Sequence, residues 1–118
     1  MWGAKRRARG EQIVAYLEAL PLDQTDLDSV KRRPSEVAAD LWPNPRHPHN
    51  IRTANEMYKL EKHGRIAMSS VVAYNNDGQR ADYRAYQSNA AAALETAVAN
   101  GEVTPLPVTR HEDLTTSA

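Results

Sequence analysis

The residues best equipped for chemistry in this chain lie in the stretch NIRTANEMYKLEKHG, residues 50–64. Read as a helix with 3.6 residues per turn, it puts Thr53, Met57 and Leu60 on one face, with Ala54 and the stem of Glu61 beside them. Arg52, Asn55, Lys59 and Lys62 lie opposite, so the outward stripe is basic or amide-bearing. These side chains suit one kind of ligand. An arginine guanidinium forks onto O6 and N7 of guanine, and an asparagine amide onto N6 and N7 of adenine. Near the start of the helix, Arg52 and Asn55 are candidates for base edges, while Lys59 and Lys62 suit phosphates. A merely solvated helix face exposes the same residue types, so the stripe alone leaves both readings open.

Other basic residues extend the pattern. Arg80 and Arg84 fall on one face of an alternating segment, suited to a phosphate backbone or a minor groove, although Asp82 between them also fits a simple surface salt bridge. Lys5, Arg6 and Arg7 belong to a basic N-terminal arm, residues 1–9, which either tracks a groove or only adds solubility. The segment between Trp42 and Asn50 holds three prolines together with Arg46, His47 and His49. Arg46 and His49 are candidate DNA contacts there, and Trp42 is a candidate anchor for a protein partner.

A chain of 118 residues makes one domain with a modest core. There are no cysteines, which excludes disulfides and thiolate metal sites. Net charge is zero, but residues 1–65 carry 12 Lys and Arg against 9 Asp and Glu, and the remainder carries 3 against 6. The basic groups cluster at residues 5–9, at Lys31, Arg32 and Arg33, and from Arg46 to Arg65. A local field of this kind attracts phosphate even when the molecule is neutral overall. No apolar run approaches the length of a membrane span, and the basic N-terminus lacks the apolar stretch of a secretory signal, so a cytoplasmic, nucleoid-associated protein is expected. No phosphate-binding loop, metalloprotease helix or nucleophile elbow occurs, and neither an enzyme nor a cofactor is expected. His47 and His49 lack cysteine or carboxylate partners, and no metal is expected. Asp23, Asp26 and Asp28 lack the spacing of a calcium loop.

The elements that must hold these residues are legible from periodicity. Ile13, Tyr16, Leu17 and Leu20 form a helical stripe that Pro21 ends. A polar connection follows, with room for one short turn. Pro34 and Glu36 open a second helix with Val37, Ala38 and Leu41 inward. After the proline-rich turn, Asn50 is placed to cap the third helix, and Gly64 to end it. From Ile66 the period becomes two, through Tyr74. The turn signal NNDG at 75–78 and a return strand to Gln87 follow, with Ala81, Tyr83 and Ala85 opposite Arg80, Asp82 and Arg84. Ser88 can cap a last helix that Gly101 closes, and residues 102–118 read as a flexible tail.

The order helix, helix, turn, helix, hairpin resembles the winged helix-turn-helix superfamily. The resemblance is carried by PSEVAADL (34–41) and by NIRTANEMYKLEKHGRI (50–66), and covers about residues 10–86. It implies an α+β winged helix-turn-helix domain, residues 10–87, with an additional C-terminal helix, residues 88–101. The insertion Trp42–His49 departs from the tight turn usual between the second and third helices of that superfamily. The resemblance implies a sequence-specific double-stranded DNA-binding protein, a repressor-like transcriptional regulator of a prokaryote or mobile element. Alternatives are a winged-helix protein–protein assembly module, and a DNA-binding accessory protein for replication, partition or recombination. A homodimer is expected, with Ala91, Leu94 and Val98 of the C-terminal helix and any unburied part of the first helix as pairing surfaces; if Leu94 and Val98 pack onto their own domain, a monomer results.

Overall fold

The computed structural model describes residues 2–43 and 50–102, with side chains from residue 7 onward. Four α-helices and one two-stranded antiparallel sheet make up an α+β fold among the described residues. Helix α1 spans Trp2–Ala19, α2 Pro34–Leu41, α3 Asn50–Lys62 and α4 Asn89–Ala99, while β1 (Ala67–Tyr74) and β2 (Arg80–Gln87) form the hairpin. A single 3-10 turn, Leu27–Val30, interrupts the polar connection.

Ile13, Val14 and Leu17 of α1, Val37 of α2, Met57 of α3, Ile66 and Tyr86 form one buried cluster. Leu20, Leu41, Leu60, Tyr16 and Trp42 pack around its edge. The stripe of α1 is thus shifted from the expected one: Val14 is buried, and Tyr16 stays half-exposed because its hydroxyl donates to the Asp40 carboxylate. Gly10 lies where α1 crosses α3, and a Cβ there would sit 3.4 Å from Leu60 Cδ2.

Local chemistry sets the ends of the helices. Glu36 accepts a hydrogen bond from the Arg33 amide at 2.8 Å, closing the first turn of α2 behind Pro34. Asn50, expected as a cap, is itself the first helical residue of α3. Gly64 adopts φ 73°, and the amides of Gly64 and Arg65 return to the carbonyls of Glu61 and Leu60 at 3.0 and 2.9 Å. This closed C-terminus requires the left-handed conformation that glycine adopts without strain. Ser88 Oγ accepts from the Ala91 amide at 3.1 Å and caps α4 as expected.

The hairpin pairs Ala67 with Gln87 through to Tyr74 with Arg80. In its turn only Gly78 takes a positive φ; Asn75 acts instead as an acceptor, its Oδ1 receiving the amides of Asp77 and Gln79 at 3.0 and 2.9 Å. The distal strands alternate in burial, with Val71, Ala73, Ala81 and Tyr83 half-covered and Val72, Tyr74, Arg80, Asp82 and Arg84 exposed. At the root of β2 both faces are covered, so Ala85, Tyr86, Gln87 and Ser88 are all buried, while Met68 opposite Tyr86 on β1 stays exposed. One further pairing was not legible beforehand: Arg32 and Tyr86 exchange both backbone hydrogen bonds, at 2.9 and 2.8 Å, and tie the approach to α2 against the outer edge of β2.

Candidate nucleic-acid interface

Helix α3 presents its polar stripe as the spacing predicted. Thr53 and Met57 are fully buried, Ala54, Leu60 and Glu61 are half-buried, and Arg52, Asn55, Lys59 and Lys62 are exposed. Ile51 (80% exposed) and Tyr58 (45%) also stand on this surface, and polar-residue reasoning missed both. The signal was available: Ile51, Asn55, Tyr58 and Lys62 recur at i, i+4, i+7 and i+11, one line along a helix. Lys62 Nζ lies 4.7 Å from the centre of the Tyr58 ring. Its pKa is raised, chiefly by hydrogen bonding with the Tyr58 phenol.

The decisive electrostatic feature is which cations the fold consumes. Arg65 forms a bidentate pair with Glu11, at 2.7 and 3.0 Å, joining the exit of α3 to α1. Lys31 is buried between Asp28 at 2.8 Å and Glu95 at 2.6 Å. Burial opposes its charge, but the two carboxylates outweigh it and the pKa is raised. Arg32 donates to the carbonyls of Ser29 and Lys31, and the Arg33 guanidinium stacks 4.3 Å from the centre of the Tyr83 ring. The cluster 31–33, which looked like a phosphate-binding patch by composition, is therefore an internal fastening between the 3-10 turn, the hairpin and α4.

Arg52, Lys59, Arg80 and Arg84 remain exposed, with no ion pair among the described residues. Asp82, a candidate partner of Arg80 or Arg84, faces Val72 across the hairpin and forms no ion pair among these residues. Arg46 and His49 lie outside the described residues, as does His47, and so do the side chains of Lys5 and Arg6. The residues read as an arm carry the beginning of α1, which starts at Trp2; Arg7 is exposed on that helix. A helix forms there because the segment lacks breakers up to Pro21 and tolerates Gly3 and Gly10.

Two expected partner surfaces are partly covered within the chain. Trp42 is half-buried against the core, with the Arg9 guanidinium 4.9 Å from its ring centre, rather than projecting as an anchor. Ala91 of α4 is buried within its own chain, and Leu94 and Val98 are half-buried. Asn89 Nδ2 also donates to the Gly64 carbonyl at 2.8 Å, holding α4 to the exit of α3. Among the described residues, no helix is long and apolar enough to cross a membrane. Comparison of the chain with family models, curated proteins and solved structures finds no match.

Proposed function

We propose that this chain is a winged helix-turn-helix protein that binds double-stranded DNA with sequence specificity, as a transcriptional regulator. The observation that carries the reading is the selective sparing of cations. Lys31 and Arg65 are held by carboxylates, and Arg32 and Arg33 are half-buried on backbone carbonyls and the Tyr83 ring. Arg52 and Lys59 on α3 and Arg80 and Arg84 on the hairpin are instead exposed without an ion pair among the described residues, and Lys62 is exposed beside the Tyr58 ring. Two helices packed together, α2 and α3, followed at once by a hairpin, agree with the resemblance carried by residues 34–41 and 50–66.

In this reading α3 enters the major groove, Arg52 and Asn55 near its start reach base edges, and Lys59 and Lys62 hold phosphates. Arg80 and Arg84 hold the backbone beside it. Fluorescence anisotropy with a random duplex at two salt concentrations tests the proposal. Four cations on phosphates, Lys59, Lys62, Arg80 and Arg84, give a log–log salt slope of about −3.6. No binding at low salt, or a flat response, overturns it.

A further inference from the structure

We infer that Ile51 reads the 5-methyl group of a thymine next to the base pair contacted by Asn55, so that the first turn of α3 selects an A·T-containing step. This rests on the DNA-binding reading above. Ile51 is 80% exposed, the most exposed of the large apolar side chains described, and it has no share in the core. It stands one turn before Asn55 on the same line of α3. Side chains at i and i+4 are about 5–6 Å apart at Cβ. That separation covers between one and two base-pair steps of about 3.4 Å.

The neighbours of Ile51 determine what covers it. Arg52 follows it, and Asn55, Tyr58, Lys59 and Lys62 share its exposed surface, with Lys62 lying over the Tyr58 ring. A surface of three cations, an amide and a phenol that carries one of those cations complements a polyanion and opposes burial against an apolar protein. Within the major groove the apolar feature on offer is the thymine methyl, and the matching partner for a carboxamide is adenine. An isoleucine with an asparagine one turn later is therefore suited to neighbouring A·T pairs.

The test uses the full chain and a duplex selected by it from a randomised library. Each thymine of that duplex is replaced in turn by deoxyuridine, which removes only the 5-methyl group. Loss of one buried methyl weakens binding about three- to fivefold, at one thymine of each bound half-site. Ile51→Ala, at a position outside the core, should bind the thymine and uracil duplexes equally. A selected site without A·T pairs, indifference of the native chain to every uracil, or discrimination retained by Ile51→Ala each overturn the inference while leaving DNA binding intact. If no duplex is selected at all, the DNA-binding reading falls and this inference falls with it.

Discussion

Thr53 lies on the buried side of α3, directly behind the stripe assigned to DNA, and is fully buried. Its hydroxyl has no hydrogen-bond partner among the described residues. A buried, unsatisfied hydroxyl costs about 1–3 kcal/mol relative to one left in water. Thr53→Val exchanges that hydroxyl for a methyl of similar size, keeps the β-branch, and leaves helix propensity nearly unchanged. We expect stability to rise by about 1–2 kcal/mol, the lower part of that range, because the new methyl must fit a site shaped around an oxygen. For a chain of this size the gain corresponds to a rise in Tm of several degrees, about 4 °C per kcal/mol. Thr53→Ser, which keeps the hydroxyl and deletes the methyl, should lose about 1 kcal/mol. Urea denaturation of the three proteins checks the order Val above Thr above Ser. DNA affinity should follow none of it, since residue 53 faces away from the stripe. A valine variant less stable than the native protein refutes the reasoning, because it means that the hydroxyl makes a bond worth more than its burial costs.

On the outward face, Lys59→Ala and Lys62→Ala should weaken binding to all duplexes and each lower the salt slope by about 0.9. Arg52→Ala and Asn55→Ala should instead cost about 1–3 kcal/mol on a selected site, with little change on random DNA, and uniform behaviour of all four would reduce the stripe to an electrostatic surface. Gly10→Ala should stabilise the fold by about 0.5–1 kcal/mol, because a glycine inside a helix is unfavourable. The added Cβ meets only the end of the half-buried Leu60 side chain, at 3.4 Å, so a loss of stability by denaturant titration would show that the α1–α3 crossing cannot yield. The Arg65 hydrogen bond holds the Glu11 carboxyl below its ordinary pKa of 4.5, so its contribution is present above that value and is lost as pH falls through the lowered one. The stability gap between the native chain and Arg65→Gln should accordingly narrow on acidification, and a gap independent of pH counts against the pair.

Most element boundaries were legible in the sequence because short-range chemistry sets them, but the start of α1 was not, since residues 1–9 read as an arm and the helix begins at Trp2. Pro21 and Pro34 bracket a segment that cannot be one helix, and Gly64 and Gly101 occupy closures that need positive φ. The change of period after Gly64 marks the hairpin, and the 3.6-residue period of α3 separates Thr53 and Met57 from Arg52, Asn55, Lys59 and Lys62. Local pattern was a weaker guide at the root of β2, where tertiary contact buries both faces and Arg32 joins Tyr86. It also did not show that Trp42 packs at the edge of the core with Arg9 of α1 over its ring, which depends on α1 passing beside it. Which basic residues remain available for a ligand was decided by tertiary structure alone. Arg65 meets Glu11 across 54 positions of the chain, and Lys31 meets Glu95 only because α4 returns to the 3-10 turn. A run of like charges in sequence reports composition, whereas its use depends on carboxylates, carbonyls and rings brought to it from elsewhere, since electrostatic and hydrogen-bonding contacts act through space over a few ångströms.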